Sequence, residues 1–545
     1  MKQNLLLILV LCNVLTTFFG CSGNGLPSAE ATAAPDCTVS LPPSTAEESA
    51  EAAAELTMAF TPASPPSLDD QYRNWYEVFV YSFADGDGDG IGDLPGLTDK
   101  LDYIAALGCD GIWLMPIMPS PSYHKYDVCD YMDVDPQYGT LEDLRALLSA
   151  AHERGIRLII DLPVNHSSSL HPWFLSASEG PESPYREYYN WSDTPKNGYG
   201  KNEGGYYECR FSDSMPDLNL DCPALREELR EILRFWLAEV GVDGFRLDAV
   251  TSYYTGQADR NVEFLDWLGE TARAFAPDCY LVGEVWENLP LIARYAEGGI
   301  DSCFLFPVAQ GSGMIARVLS NTAKRPGAEF GESVMELEKT LPSATVPAPF
   351  LENHDTARAA SFLGRSSPEK LKMAGGLLAL LRGSVFLYYG QEIGMVGSGD
   401  DPNKRIGMLW TADGETLSPP PGTTKLDYAF PSVREQMADS ASILNYYKNA
   451  LSLRNRWPEI ARGKSELLPC EDDRLCLIRR SWENRAVLLA VNPSQSLCTL
   501  SLEDVAGDTP VLLDQLNAGD QVVTLDGQSL TLPAYSIALL SAGTD

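Results

Sequence analysis

The chain has 545 residues, of which 44% are hydrophobic and ten are tryptophan, so it can bury a large core in two or three domains. Its formal charge of −36 at pH 7 argues against nucleic acid or an anionic membrane surface as a direct partner, because both would repel it. We expect a soluble monomer that faces the outside of the cell.

Residues 1–21 are predicted to be an export signal. The segment MKQNLLLILVLCNVLTTFFGCSG has one lysine, an apolar run from Leu5 and a small residue before Cys21, and it is too short to span a bilayer comfortably. Gly20 and Cys21 resemble a bacterial lipoprotein cleavage site, at which the cysteine is lipidated. Because Phe18 stands where such sites usually carry Leu, ordinary cleavage and secretion is the alternative. We predict a cell-surface lipoprotein held to the membrane only by this lipid.

Residues 22–70 are rich in Ala, Pro, Ser, Thr and Glu and have almost nothing to bury, which predicts a disordered tether. The 12 cysteines of the chain have no regular spacing, so a disulfide framework is not indicated. Cys209 with Cys222, or Cys470 with Cys476, could still pair. No CxxC motif or cluster of Cys and His suggests zinc.

The first motif after the tether is FADGDGDGIGDLPG, residues 83–96. Its aspartates stand at the first, third, fifth and ninth places of a calcium loop, and Gly90 stands at the sixth, where such a loop turns sharply. An EF-hand is not predicted, because the twelfth place is Gly96 and the preceding WYEVFVYSF is typical of a strand. We predict a structural Ca²⁺ rather than a solvated acidic turn, with the ligands Asp85, Asp87, Asp89, the backbone carbonyl of Ile91, and Asp93.

Beyond this loop, short apolar strands alternate with amphipathic helices such as LEDLRALLSAAHERG. The candidate strands are EVFVYSF, CDGIWLMPI, GIRLIIDLP, GVDGFRLDAV, CYLVGEVW, DSCFLF, APFLENHD and GSVFLYYG. This alternation predicts βα units and a parallel sheet. Eight such strands favour an α/β fold of the (β/α)8 TIM-barrel type, with a doubly wound open sheet as the alternative.

Two stretches depart from the alternation. Residues 167–221 are rich in Tyr, Pro, Gly and Asn and are too long for a plain loop, so they predict a small inserted domain. The barrel is then expected to occupy residues 71–166 and 222–460. From 461 to 545, short strands such as RAVLLAVN and SIALLSAG alternate with turn residues, which predicts an all-β C-terminal domain.

Carboxylates stand at the C-terminal ends of several candidate strands. In a barrel these ends meet at one face, where the active sites of this fold lie, so we expect the carboxylates to form a cluster. Polar residues accompany them, including two of the five histidines of the chain. The cluster is expected to contain Asp161 with Asn165 and His166, Asp248 with Arg246, Glu284, and Asp355 with Asn353 and His354.

Five segments resemble the signature regions of the α-amylase family of glycoside hydrolases, in the family's order. They are DLPVNH (161–166), MPDLN (215–219), GFRLDAV (244–250), GEVW (283–286) and ENHD (352–355). The resemblance runs from about Trp75 to the C-terminus. It implies a (β/α)8 barrel, a domain inserted after the third strand, a C-terminal β-sandwich, and calcium in the acidic loop.

The resemblance also implies a role for each matching residue. Asp248 would be the nucleophile, Glu284 the general acid/base and Asp355 the third carboxylate of a retaining glycosidase. Arg246 precedes Asp248 by two residues on the same strand, so it points to the same face and can keep the nucleophile ionised. The pKa of Glu284 should be raised, because this residue must hold a proton. The implied substrate-binding residues are His166 and His354 for sugar hydroxyls, Tyr126 and Trp286 for stacking, and Asp127 and Arg405 for the far end of the sugar, with His124 as a support of its loop.

The substrate is predicted from two local features. MPDLN is intermediate between the forms found in oligo-1,6-glucosidases and in maltogenic enzymes, and Ala249 agrees with a preference for α-1,4 bonds. We therefore predict an endo-acting α-amylase whose substrate is an α-glucan, such as starch or maltodextrins. The alternatives are an α-glucosidase, oligo-1,6-glucosidase, cyclomaltodextrinase or 4-α-glucanotransferase, and a non-catalytic glycan-binding lipoprotein is the alternative of another class.

Overall fold

The computed structural model describes residues 70–412, 417–503 and 510–542. The predicted export signal, the lipidation site at Cys21 and the predicted tether up to residue 69 lie outside these ranges. Within the described ranges, no helix is both long and apolar enough to cross a membrane.

The described residues form 18 strands and 14 α-helices. The strands are β1 (Asn74–Val78), β2 (Gly111–Leu114), β3 (Arg157–Leu162), β4 (Trp191–Ser192), β5 (Tyr199–Asn202), β6 (Gly205–Glu208), β7 (Gly244–Leu247), β8 (Tyr280–Gly283), β9 (Ser302–Cys303), β10 (Val385–Tyr388), β11 (Lys464–Leu468), β12 (Cys476–Trp482), β13 (Arg485–Asn492), β14 (Cys498–Ser501), β15 (Leu512–Asn517), β16 (Thr524–Asp526), β17 (Ser529–Leu532) and β18 (Ser536–Ser541). The helices are α1 (Leu94–Asp99), α2 (Leu101–Leu107), α3 (Leu141–Glu153), α4 (Pro172–Glu179), α5 (Pro223–Arg234), α6 (Ala258–Phe275), α7 (Leu289–Tyr295), α8 (Met314–Val318), α9 (Pro326–Thr340), α10 (Ala359–Leu363), α11 (Pro368–Ala379), α12 (Val433–Ala438), α13 (Ile443–Arg456) and α14 (Pro458–Arg462).

A closed barrel of parallel strands carries the site. Seven strands pair in the order β10, β1, β2, β3, β7, β8, β9. Residues 348–350 take the eighth place, because Ala348 bridges Phe304 beyond β9 and Phe350 bridges Phe386 in β10, both in parallel. The predicted (β/α)8 barrel is therefore confirmed, and the open sheet is wrong.

The interior of the barrel is filled by aromatic side chains from different strands. Trp75 of β1 stacks on Tyr280 of β8 with 5.0 Å between ring centroids, and on Phe386 of β10 at 5.8 Å. These rings are fully buried or nearly so. Strands that are covered by helices outside and by such rings inside are buried on both faces, which is why their sequences are almost continuously apolar.

The segment predicted to be an inserted domain lies between β3 and α5. It contains α4 and a small antiparallel sheet with the order β4, β6, β5. Phe174 of α4 stacks on Trp191 of β4 with ring centroids 5.8 Å apart. Asp217 forms an isolated bridge with His166 just beyond β3, so the end of the segment is tied to the barrel.

The C-terminal region is all β, as predicted. A sheet with the order β11, β12, β13, β18, β15 packs on a second sheet with the order β14, β17, β16, and buried leucines such as Leu477, Leu488 and Leu530 lie between them. The other face of the first sheet meets α9 at Gly331. A Cβ atom at this glycine would lie 2.5 Å from Leu467 and 2.8 Å from the Sγ of Cys476, so a larger residue would have to displace these side chains.

The cysteines of the described residues are all unpaired. Cys470 packs against the core of the sandwich, whereas the Sγ of Cys476 faces α9 on the other side of the sheet. Neither Cys209 with Cys222 nor Cys470 with Cys476 forms a disulfide in this structure.

Candidate active site

Four carboxylates gather at the C-terminal ends of the barrel strands. Asp161 is in β3, Asp248 and Glu284 directly follow β7 and β8, and Asp355 follows the strand segment 348–350. The exposed fraction of their side chains rises from 0% for Asp161 through 10% and 11% for Asp248 and Glu284 to 28% for Asp355. The cluster is therefore largely dry and opens to solvent on the side of Asp355.

Arg246 of β7 is completely buried and binds three of these carboxylates. Its Nη1 lies 3.0 Å from Asp161 Oδ1 and 2.6 Å from Asp248 Oδ1, and its Nη2 lies 3.1 Å from Glu284 Oε2. One cation cannot offset three buried negative charges. Burial accordingly raises the pKa of Asp161 to about 7 and also raises the pKa of Asp248 and of Glu284.

These shifts bear on two predicted roles. The raised pKa of Glu284 agrees with a residue that must hold a proton. For Asp248 the expectation needs a correction, because Arg246 does lower the pKa of this carboxyl but burial outweighs it. Glu284 Oε2 also accepts a hydrogen bond of 2.9 Å from the backbone N–H of Ala249. Ala249 has a φ of 49°, a left-handed conformation that costs about 1–3 kcal/mol for a residue with a side chain.

His354 is buried between two carboxylates. Its Nδ1 lies 2.5 Å from Glu77 Oε1 in β1, and its Nε2 lies 3.0 Å from Asp355 Oδ2. Burial lowers the pKa of His354, but the two carboxylates more than compensate and raise it to about 9. Burial conversely raises the pKa of Asp355, but His354 and Arg405 hold it well below its usual range. Asp355 is therefore the carboxylate of the cluster whose ionised form its neighbours favour most.

Arg405 lies against Asp355. Its Nη2 is 2.8 Å from Asp355 Oδ1 and 3.2 Å from Asp401 Oδ2, and its Nε donates to the carbonyl oxygen of His354 at 3.1 Å. Lys404 donates from its Nζ to the carbonyl oxygen of Asp355 at 2.6 Å. The predicted sugar-binding residue Arg405 is thus engaged in holding the third carboxylate.

Tyr126 and His166 lie around the carboxylates, as expected. The hydroxyl of Tyr126 donates to Asp161 Oδ2 at 2.9 Å, and its ring stacks on that of His354 with centroids 5.6 Å apart. Burial lowers the pKa of His166 to about 4, so this imidazole is neutral at pH 7. Its buried Nε2 has no hydrogen-bond partner among the residues that the structure describes. A sugar hydroxyl would satisfy this nitrogen.

Asp127 and His124 belong to the loop that carries Tyr126. Asp127 accepts hydrogen bonds from the hydroxyls of Ser120, at 2.7 Å, and Ser122. His124 Nδ1 accepts from the backbone N–H of Tyr126 at 3.2 Å. Both side chains therefore contact their own loop, which is the support expected of His124, and sugar binding by Asp127 stays a prediction.

Two exposed aromatic rings lie near the cluster on different elements. Trp286, two residues after Glu284, is 48% exposed and stacks on Phe306 with ring centroids 4.6 Å apart. Phe211 of the inserted segment is 54% exposed, and its ring lies 5.4 Å from that of His166. Large rings exposed beside polar groups are typical of surfaces on which sugars stack.

Sequence reasoning missed Glu77 and Phe211 as members of the site. The available signal for Glu77 was a single acid inside the apolar strand WYEVFVYSF, since such an acid is rarely buried without a partner. Phe211 lies in an irregular segment, where no periodicity indicates which way a side chain points.

The acidic loop before α1 brings three carboxylates together. Oxygen atoms of Asp85, Asp87 and Asp89 lie within 4.8 Å of one another, a separation suited to a hard cation with oxygen ligands. Asp93 is instead the N-cap of α1 and accepts a hydrogen bond of 2.6 Å from the backbone N–H of Gly96. The fit to a cation is thus carried by the first three aspartates.

Residues 77–463 match the family described as the alpha-amylase catalytic domain. The matched range begins within β1 and ends just before β11, so it contains the other barrel strands and all four carboxylates. The chain belongs to the α-amylase family of glycoside hydrolases.

Similar proteins within this family differ in the activity for which they are named. An α-amylase 3 from Dictyoglomus thermophilum is 40% identical over 437 residues, which cover 77% of this chain and 85% of that protein. An oligo-1,6-glucosidase from Heyndrickxia coagulans is 29% identical over 520 residues, with coverages of 79% and 93%. The structure of Eubacterium rectale Amy13B aligns with a TM-score of 0.85 at 40% identity, covering 88% of this chain and 97% of that one. Membership of this family makes the chain an enzyme. Its bond preference must be argued from its own site.

Proposed function

We propose that this family member is a retaining, endo-acting hydrolase of α-1,4-glucosidic bonds in starch and maltodextrins. The observation that supports internal cleavage is the pair of exposed rings, Trp286 beyond β8 and Phe211 in the inserted segment. Because the rings are on different elements, a glucan chain can stack on both and extend past the carboxylates. An enzyme that holds a chain end would instead need a closed pocket.

The chemistry proposed for the cluster has two steps. Asp248 attacks the anomeric carbon while Glu284 gives its proton to the leaving oxygen, so that the glucosidic bond breaks and an ester to Asp248 forms. The Glu284 carboxylate then takes a proton from water, which attacks the same carbon and releases Asp248. Substrate entry expels water and strengthens each of these electrostatic contacts.

Neighbouring residues assist both steps. The positive charge of Arg246 favours the ionised form of Asp248 that must attack. Asp355 and His166 are proposed to bind hydroxyls of the sugar being cleaved, because one is an ionised acceptor open to solvent and the other has an unpaired ring nitrogen. Hydrogen bonds to an ionised group are about twice as strong as neutral ones.

A maltoheptaoside blocked at its non-reducing end tests the internal cleavage. Wild type should release mixed short maltooligosaccharides from it, whereas Asp248→Asn, which keeps the size of the side chain, should release none. Activity only on unblocked short substrates, with glucose as the sole early product, would instead identify an exo-acting α-glucosidase.

The second candidate is cleavage of α-1,6 bonds, which the similarity to an oligo-1,6-glucosidase favours. Ala249 and MPDLN support the α-1,4 assignment. Rates on maltotriose and isomaltotriose under identical conditions separate the two, and a higher kcat/KM on isomaltotriose would reverse the assignment. Transfer products that exceed hydrolysis products would indicate a glucanotransferase.

We also propose that the acidic loop binds Ca²⁺ as a structural ion. The converging carboxylates of Asp85, Asp87 and Asp89 support this, since three negative charges so close repel one another without a cation. The loop immediately precedes α1, so an ion there would fix the start of the first barrel helix. Export and attachment through a lipid on Cys21 are likewise proposed, from the sequence of residues 1–21 alone.

A further inference from the structure

His354 is held between two groups that can only accept hydrogen bonds. Its Nδ1 lies 2.5 Å from Glu77 Oε1, and its Nε2 lies 3.0 Å from Asp355 Oδ2. A carboxylate has no hydrogen to donate, so both ring nitrogens must carry one. A neutral imidazole carries only one, and its other nitrogen would direct a lone pair at a carboxylate oxygen.

Glu77 contacts the backbone of His354 as well as its ring. Its side chain is 1% exposed, and its Oε1 also accepts from the backbone N–H of His354 at 3.3 Å. The hydroxyl of Tyr126, which lies 2.7 Å from His354 Nε2, donates to Asp161 and is therefore free to accept a hydrogen from that nitrogen. These polar contacts of the ring are all compatible with an imidazolium.

We propose that Glu77 is a positioning residue that keeps both ring nitrogens of His354 protonated, so that a permanent imidazolium holds Asp355 during the reaction. Without Glu77, Asp355 alone would have to offset the free-energy cost of burying the charged ring. With Glu77 on the opposite side, two negative charges flank one positive charge. The proposal rests on the glycosidase site and is independent of the internal cleavage proposed above.

The charge of His354 depends on groups from several strands. Those that face it or its two partners are Glu77 of β1, Tyr126, Asp161 of β3, Arg246 of β7, Asp248 just beyond β7, Asp355, Tyr388 of β10, and Arg405. Arg405 and Arg246 oppose protonation of the ring, whereas the carboxylates favour it. Glu77 binds Nδ1 whereas Asp355 lies at Nε2, so removal of Glu77 should act on Asp355 through the ring.

The consequence for catalysis is geometric. An imidazolium donates a charge-assisted hydrogen bond to Asp355 and fixes its orientation. If the ring lost the hydrogen from Nδ1, the remaining hydrogen bond from Nε2 would no longer be charge-assisted and would hold Asp355 less firmly in its place in the cluster. Loss of Glu77 should therefore reduce activity most at a pH where His354 can deprotonate.

The experiment is a pH titration of the ¹⁵N-labelled histidine rings by NMR, in wild type and in Glu77→Gln. The chain has five histidines, so the signals of His354 can be assigned from their loss in a His354→Gln sample. In wild type we expect both ring nitrogens to stay protonated until the pH approaches the pKa of about 9. Glutamine has the same shape and removes one opposite charge, so the midpoint should fall by about 1–3 pH units.

Glu392→Gln is the matched control. Glu392 is also buried and also contacts β1, where Tyr76 donates to its Oε1 at 2.6 Å, but its hydrogen bonds do not reach His354. This variant should leave the midpoint of His354 unchanged. An unchanged midpoint in Glu77→Gln would contradict the proposal, and so would a wild-type His354 ring that is neutral at pH 7.5.

A kinetic readout separates positioning from a general structural role. From pH 6 to pH 8, kcat/KM of Glu77→Gln should fall about tenfold relative to wild type, because the ring of the variant loses its proton in this interval. An equal loss at both pH values would indicate only damaged packing and would contradict the proposal. Failure of the blocked-substrate test would leave this comparison intact, since any cleaved glucoside reports it.

Discussion

Arg246 is the residue on which the charge balance of the site depends. It is completely buried, and three carboxylates surround its guanidinium at 2.6–3.1 Å. Breaking a buried ion pair by removing one partner costs about 3–5 kcal/mol, because it leaves uncompensated charge behind. The arginine is thus required for the stability of the fold with an ionised Asp248. It is also required for the attack of Asp248 on the anomeric carbon.

Arg246→Met should therefore lower the free energy of unfolding at pH 7 by about 3–5 kcal/mol and abolish measurable activity. Urea denaturation measures the first effect. Arg154→Met is the control, because Arg154 pairs with Asp102 at the surface and such pairs contribute about 0–1 kcal/mol. Equal midpoints for Arg246→Met and wild type would show that the cluster does not need this cation.

Glu284 gives the pH dependence of the reaction. Because burial raises its pKa, the acid keeps its proton to higher pH, and activity should fall as the pH rises through that pKa. Glu284→Gln should lower kcat on maltooligosaccharides about 10²–10⁴-fold. On an aryl maltoside whose leaving group is an acidic phenol, Glu284→Gln should carry out the first step at a nearly normal rate that does not decline at alkaline pH. The burst of released phenol measures this rate. A burst with the same alkaline decline as wild type would exclude Glu284 as the acid.

At the scale of elements, the barrel strands were predictable because both of their faces are buried. GIRLIIDLP and GSVFLYYG are apolar runs, and the first of them ends at Asp161 of the cluster. The short strands β14 (CTLS) and β17 (SLTL) were not predicted, since four residues are the shortest run in which alternating polarity can indicate a strand. In the site, Asp248 and Glu284 could be predicted because they follow clear strands. Phe211 could not be predicted because it lies in an irregular insertion.

The acidic loop should contribute to stability only with its ion. A chelator is expected to lower the Tm of wild type, because a ligand that binds the folded state alone stabilises it by mass action. Asp87→Ala should have a lowered Tm that no longer responds to Ca²⁺ or to the chelator. Glu263→Ala, which removes an exposed acid of α6, is the control and should respond as wild type does. A wild-type Tm that is unchanged by Ca²⁺ and by the chelator would exclude a structural ion.

The ring of Trp286 should bind substrate beyond the scissile bond. Trp286→Ala removes a stacking surface worth about 1–2 kcal/mol, so kcat/KM on maltoheptaose should fall about five- to thirtyfold. The rate on an aryl glucoside that is too short to reach the ring should change little. Val522→Ala removes an exposed apolar side chain of the C-terminal region and should affect neither substrate. Equal losses of kcat/KM on both substrates would indicate that the substitution acts through Glu284 and not through a lost stacking surface.

At the scale of the whole molecule, the barrel concentrates buried charge at one face and leaves an excess of acidic residues elsewhere. The chain has 76 acidic and 40 basic residues, so the surface repels anionic partners but not a neutral glucan. The family match ends at residue 463, where the C-terminal sheets begin, so the chemistry belongs to the barrel and its insertion. We propose that this face cleaves glucosidic bonds by double displacement at Asp248.

The anomeric configuration of the first product tests this double displacement. Proton NMR should be recorded immediately after enzyme is added to maltoheptaose, before mutarotation exchanges the anomers. Two displacements at the anomeric carbon predict that the α-anomer appears first and the β-anomer only later. Initial formation of the β-anomer would contradict a covalent intermediate on Asp248 and with it the roles assigned to the whole cluster.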